Sequence, residues 1–289
     1  HRVHIFNPSS FSLALFSLGL IVTGTTGITW GEEIASLLIV PPQIYLFIFL
    51  VSLPGLFLFR VVTMTLPAVL TTYLFSVAYL KATGTYFYFD ANIPVAVFLG
   101  MHLLFTDPST APRTELGRIG FGVLYGASVV ALYALLGAVG APTFYDKLLA
   151  VPLMNLVVRA IDRVAQSASL AWLNPARLGA GLAPRMRSLA YVSVWVAVFG
   201  AMTAANGVGD HHPGYSVRFW AGACDDGRRN ACRNLAALVS QPCREGSGWA
   251  CNALGILVAT DRVDAAPADD LFTLACGLGL RAGCSNGTV

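Results

Sequence analysis

Seven apolar runs separated by short polar loops constrain this chain more than any other feature. They cover residues 11–28, 44–60, 64–80, 93–105, 119–139, 148–161 and 189–205. A helix needs about 20 mostly apolar residues to cross ~30 Å of hydrocarbon. Each run is apolar around its whole circumference, as suits a helix in lipid rather than one with a single buried face. The fourth and sixth are short and need flanking apolar residues or a locally thinner bilayer. Pro54, Pro67, Pro94 and Pro152 lie within or beside the runs, which is tolerable where neighbouring helices re-satisfy the freed backbone groups. The expectation is an all-α, polytopic bundle in a lipid bilayer over residues 1–206, with a separate domain over 207–289.

The basic residues give that bundle a direction, because arginine and lysine in short loops stay on the cytoplasmic side. Alternate loops hold Arg2; Arg60; Arg113 and Arg118; and Arg159, Arg163, Arg177, Arg185 and Arg187. The opposite set holds Lys81 and Lys147. The N-terminus is therefore expected inside, and after seven crossings the last domain lies outside a bacterial inner membrane. The chain begins with His and no signal-peptide pattern precedes the first run, so it reads as a fragment with upstream residues missing.

Composition marks the same division. Hydrophobic residues make up 56% of the chain and charged residues 11%, against roughly a quarter charged in soluble domains. Residues 1–206 hold 18 charged side chains, whereas the much shorter 207–289 segment holds 15. A net charge of +3 is too weak to argue for nucleic acid as a partner.

All six cysteines fall in the last domain, in the compartment where disulfides persist. Cys224 and Cys232, Cys243 and Cys251, and Cys276 and Cys284 are each eight apart, with small and polar residues between them. That spacing suits a helix, a glycine turn and a second helix, stapled at the turn. The competing reading is zinc, whose structural motifs commonly use two- to four-residue gaps. His211 and His212 read as linker residues. The Ala223–Leu235 segment, Ala-Cys-x-x-Gly-x-x-x-Ala-Cys-x-x-Leu, resembles the cysteine-rich kind of Sel1-like repeat. Pro242–Leu254 is a second copy, and residues 276–284 keep the spacing. The resemblance implies a short α-solenoid that contacts an extracytoplasmic protein partner; the alternative is a stabilising cap.

In the membrane body, polar groups placed where apolar ones cost less are the informative residues. Asn7-Pro8-Ser9-Ser10 suits a helix start. Thr23-Gly24-Thr25-Thr26-Gly27 closes the first run and precedes Trp30, Glu32 and Glu33, the last two solvated or a draw for a cation. The segment 102–118 is richest. Thr114 is placed to cap the next helix, with Glu115 at its positive end. Arg113 and Arg118 pair with Asp107 and Glu115 or hold an anionic phosphate. At the end of the sixth run Asn155 and Arg159 share a face, and Asp162 is placed to pair with Arg159 or Arg163.

Two of these strings carry a further resemblance. Phe6-Asn7-Pro8 before a span, and Thr106-Asp107-Pro108-x-Thr110-x-x-x-Thr114-x-x-Gly117-Arg118 between two later ones, resemble a membrane family. It comprises the RnfD protein of the Rnf electron-transport complex and its NqrB counterpart in the sodium-pumping NADH:quinone oxidoreductase. The compact branch associated with enediyne biosynthesis is the most similar. The resemblance covers roughly residues 4–163. It implies a component of a membrane redox complex that passes electrons through a flavin or quinone and couples them to Na⁺ or H⁺ movement. It also implies cofactor contacts at Asn7, Thr26, Thr106, Asp107, Thr110, Arg113 and Arg118. Many members carry FMN on a threonine in a Ser/Thr-Gly-Ala-Thr motif, which Thr23-Gly24-Thr25-Thr26 matches in part and sooner after Phe-Asn-Pro. The long loop that usually bears that threonine is missing. FMN on Thr26, a noncovalent flavin and a quinone all remain open. The body has no cysteine to ligate an iron–sulfur cluster.

The alternative function is a cofactor-free transporter or scaffold whose repeat domain recruits a partner. A hydrolase is disfavoured: there is no His-Glu-x-x-His, and Gly126-Ala127-Ser128-Val129 does not complete a Gly-x-Ser-x-Gly elbow.

Overall fold

The structure is a computed structural model describing residues 5–31, 34, 43–89, 91–175, 181–205, 207–208, 212–228 and 230–287. All regular secondary structure among these residues is helical. Contacts divide the chain into two compact units, His1–Ser76 with Ala91–Asp210, and Val77–Asp90 with His211–Val289.

The helices of the first unit follow the apolar runs, with ends set by local chemistry. Helix α1 is Pro8–Thr23, started by Asn7, whose Oδ1 accepts the Ser9 and Ser10 backbone N–H groups at 3.1 and 3.4 Å. It stops at Gly24, whose φ of +67° is open to glycine without a Cβ penalty. Helix α2 is Ile44–Phe59 and α3 is Val62–Thr83, whose last residues belong to the second unit. Helix α4 is Val95–Leu104, and its second half, Gly100–Leu104, is a π-helical turn. Helix α5 is Glu115–Ala138, capped by the Thr114 hydroxyl, which accepts the Gly117 N–H at 3.0 Å. Helix α6 is Asp146–Ala165 and α7 is Pro184–Ala204.

Of these, α3, α5 and α7, at 22, 24 and 21 residues, are long and apolar enough to cross a membrane. Helices α1, α2 and α4 are apolar but shorter. Helix α6 is interrupted by Asp146 and Lys147 at one end and Arg159, Asp162 and Arg163 at the other. Large apolar side chains face outward along the bundle, among them Leu15, Phe16, Phe47, Leu58 and Leu135. A surface of that kind is costly in water and ordinary in hydrocarbon.

Small residues let the helices approach. Gly122 and Gly126, four apart on α5, lie against α3. A Cβ on Gly122 would collide with the Met64 carbonyl oxygen, and one on Gly126 would come within 2.7 Å of the Ala68 carbonyl oxygen. With no hydrophobic force between helices in lipid, such backbone approach is a main source of association. Rings fill the interior: Phe49 stacks on Phe199 at 4.1 Å and Phe105 on Tyr125 at 4.2 Å between centroids.

In the second unit the helices are α8 Val217–Asp225, α9 Ala231–Arg244, α10 Gly248–Ala259, α11 Ala268–Gly277 and α12 Arg281–Asn286. Each packs on the next in sequence. Three turns repeat one device. Gly227, Gly246 and Gly279 take φ of +69°, +92° and +88°. At each, the glycine N–H bonds the carbonyl three residues back, and the next N–H bonds the carbonyl five back, as in Gly227 to Cys224 and Arg228 to Ala223. This is the Schellman closure of a helix. It brings Cys224 to Cys232, Cys243 to Cys251 and Cys276 to Cys284, with Cα atoms 4.6–4.7 Å apart and all three pairs bonded. No free thiol is left for zinc. The second bridge is buried at both cysteines, whereas in the third Cys276 is half-buried and Cys284 exposed.

Candidate functional site

The seven residues singled out for a cofactor do not form one site. Asn7 and Thr26 lie at opposite ends of the 16-residue helix α1, which at 1.5 Å per residue places them roughly 24 Å apart. Asn7 is occupied with capping, and Ser9 Oγ adds a third bond to the same Oδ1 at 2.7 Å. Thr26 begins a short 3₁₀ turn, Thr26–Ile28, and is half-buried. Its neighbours Thr23 and Thr25 share a hydroxyl–hydroxyl bond of 2.7 Å. The Thr26 hydroxyl takes no part in that bond, and its half-open position is compatible with a phosphoester link to FMN.

The other five sit together at one end of the first unit, where side chains mostly bond the chain itself. Thr106 Oγ1 donates to the His102 carbonyl at 2.9 Å. Asp107 accepts the Ser109 N–H and hydroxyl at 2.9 and 2.7 Å, and Thr110 donates to the Asp107 carbonyl at 3.5 Å. Arg118 spans two loops, with Nε to the Pro112 carbonyl at 3.0 Å and Nη1 to the Arg60 carbonyl at 2.9 Å. That leaves Arg113, whose backbone is held while its side chain is exposed. The string 106–118 is thus a braced loop that leaves the Arg113 guanidinium exposed.

The ion pairs expected here differ from those found, because partners come from distant loops. Glu115 pairs with Arg187 at 3.0 Å and accepts the Tyr191 hydroxyl at 2.7 Å. Among the described residues Asp162 takes no arginine side chain. Its carboxylate accepts the Arg113 and Thr114 N–H groups at 2.9 and 3.2 Å and the Thr114 hydroxyl at 2.9 Å. Gly117 makes room for this, since a Cβ there would meet Asp162 Oδ1 at 2.8 Å. Glu32, Glu33, His211 and Arg177 lie outside the described residues.

Two sites went unread in the sequence. One is a nest of rings on the π-helical turn of α4. His102 is buried, with Nδ1 2.7 Å from the Phe98 carbonyl oxygen, and its ring stacks 5.8 Å from that of Trp195. Phe49, Phe98 and Phe199 surround the pair. His102 Nε2 and Trp195 Nε1 are buried with no hydrogen-bond partner among the described residues. Buried ring nitrogens normally find one, and π-turns are frequent at functional sites. The other is Asp146 with Lys147, buried together at the start of α6 with Nζ 3.0 Å from Oδ1 and 4.3 Å from the Phe144 ring centroid. Lys147, one of two basic residues in the loops opposite the arginine-rich ones, is thus a buried, paired charge. The neighbouring helix N-terminus favours the carboxylate.

In the second unit His212 is part of the core rather than a linker. It is buried, its ring lies 4.2 Å from that of Tyr86, and its Nδ1 accepts the Gly214 N–H at 3.0 Å. Burial pushes its pKa down to about 4. Trp220 closes the cluster, with Nε1 2.7 Å from the Gly214 carbonyl and its ring stacked on Phe89. Among the described residues no group of His, Cys, Asp and Glu converges as a metal site.

Compared with protein-family models, curated proteins and solved structures, the chain matches none.

Proposed function

We propose that the chain is the membrane component of a bacterial electron-transport complex. In this reading the body crosses the inner membrane seven times with its N-terminus inside, and the disulfide-stapled domain stands outside and docks a protein partner. The family of RnfD and NqrB supplies the role: electron passage through a flavin or quinone, coupled to Na⁺ or H⁺ movement. The Sel1-like resemblance supplies the docking role.

The way loops meet supports the topology. The bonds between distant loops at the arginine-rich end join segments read as inside: Arg60, residues 106–118, Asp162 and Arg187. Segments read as outside join one another. Ser76 Oγ donates to the Asn92 carbonyl at 2.7 Å, and Asn92 Nδ2 to the Gly207 carbonyl at 3.4 Å. The loop that holds Lys81 also groups with the cysteine domain. The observation that carries the redox role is the ring nest. His102 stands one helical turn before Thr106-Asp107-Pro108, the string that bears the resemblance, and its Nε2 and the Nε1 of Trp195 on α7 are buried with no hydrogen-bond partner among the described residues.

Full-length protein extracted in mild detergent tests this. Stoichiometric flavin or quinone is expected, and Thr26→Val removes acid-stable flavin if the link is covalent. Native extraction with neither, and with no redox-active partner, contradicts it. A cofactor-free scaffold is the second reading, favoured by the self-bonded string 106–118. In that case deleting residues 210–289 abolishes an extracytoplasmic complex and leaves the body intact.

A further inference from the structure

The arginine-rich end of the first unit is electrostatically unbalanced. Asp107 and Glu115 are already taken by Ser109 and by Arg187 with Tyr191. Arg113, Arg159 and Arg163 are exposed and form no ion pair among the described residues. The fold brings the Arg113 backbone to the helix that carries the other two. At 100° per residue, Leu156, Arg159 and Arg163 lie within about 60° of one another on α6. Asp162, on the adjoining face, holds the Arg113 N–H at 2.9 Å and so anchors the third arginine beside the other two. Three guanidiniums against one carboxylate leave an excess of two positive charges. Directly along the helix, Leu153 and Leu156 are 54% and 63% exposed, so the cationic end continues into an apolar track.

We propose that this stripe binds an anionic phospholipid, with the headgroup phosphate on Arg113, Arg159 and Arg163 and an acyl chain along Leu156 and Leu153. The proposal rests on the topology above, in which this end faces the cytoplasmic leaflet. Guanidinium recognises phosphate through paired, charge-assisted hydrogen bonds, and basic pockets between membrane helices on that side hold anionic headgroups. The apolar track decides between a lipid and a free anion, since inorganic phosphate has no use for it.

The test uses the full chain, stripped of lipid in detergent, with retained ligand counted by native mass spectrometry. Phosphatidylglycerol, phosphatidylcholine and inorganic phosphate are titrated in parallel. The wild type and a distant control, Arg233→Gln, are expected to retain phosphatidylglycerol in preference to phosphatidylcholine. The triple variant Arg113→Gln, Arg159→Gln, Arg163→Gln is expected to lose about tenfold or more of that retention. Leu156→Ser is expected to weaken it while leaving the arginines in place. If the triple variant does not fold, Arg159→Gln alone carries the test, because that side chain is exposed and forms no ion pair among the described residues. Equal retention by variant and wild type overturns the proposal. So does displacement of the lipid by equimolar inorganic phosphate, which would mean a plain anion site. Failure of the membrane reading itself shows separately, as a chain released from membranes by alkaline carbonate.

Discussion

The body and the cysteine domain solve one problem, holding helices together, by opposite means. In the body, glycines let backbones touch and polar bonds gather at two ends, so the middle is left to apolar packing. In the cysteine domain the helices are 6–14 residues long, too short to hold by propensity alone. There three of the four turns are closed by a left-handed glycine and locked by a disulfide, and the turn between α10 and α11 carries a left-handed Asp261 instead. In the proposed topology the difference follows from the surroundings. Lipid supplies no hydrophobic drive between helices but leaves backbone bonds unchallenged. Water supplies the drive, but a domain this small buries too little surface to rely on it.

Removing a staple should give the largest effect. Replacing Cys243 and Cys251 by Ala is expected to cost the cysteine domain about 2–4 kcal/mol, read as loss of near-ultraviolet dichroism from Trp220 and Trp249 at lower temperature. The buried Cys243–Cys251 bridge should also be the last to open under mild reduction, as followed by alkylation and mass spectrometry. Simultaneous opening of all three would mean the domain unfolds as one body before any bridge is reached.

Next comes a change confined to the body. Gly122→Ala forces a methyl into the Met64 carbonyl and is expected to cost about 1–3 kcal/mol, visible as a lower melting point in detergent. The bridges should stay intact, which separates the two modes of stabilisation. At the arginine end, Asp162→Ala strands the Arg113 and Thr114 N–H groups and the Thr114 hydroxyl. A loss of about 1–3 kcal/mol is expected, with faster proteolysis within residues 106–114.

A further effect is a pH dependence confined to the cysteine domain. Neutral His212 accepts the Gly214 N–H through Nδ1, and protonation removes that acceptor. Because its pKa is lowered to about 4 from an ordinary 6.5, the stability it contributes is complete above about pH 6.5 and is lost as pH falls through about 4. Trp220 fluorescence should track that loss, and His212→Ala should flatten it.

Much of the fold was legible because apolar runs and cysteine spacing are local signals. Helix ends were legible only where caps were. The run at 11–28 stops helically at Thr23 because Gly24 turns left-handed, and the run at 119–139 begins at Glu115 because Thr114 caps it. Gly122 and Gly126 stood in plain view, yet small residues carry no polar signal and only the approach of α3 gives them a role. The candidate site was less legible because its bonds are long-range. Asp162 meets Thr114 48 residues away, and Glu115 meets Tyr191 76 away, so which carboxylate serves which loop depends on which loops meet. His212 read as a linker for the same reason: its cover, Tyr86, comes from a loop between two apolar runs.

Arginine loops inside and a stapled domain outside are the core of the proposed topology. Single-cysteine labelling in spheroplasts tests it most directly, since the body has no native cysteine and the others are paired. A membrane-impermeant maleimide should label Asp264→Cys in intact spheroplasts, and Arg113→Cys only after lysis. Labelling of Arg113→Cys before lysis, or protection of Asp264→Cys, would contradict that topology.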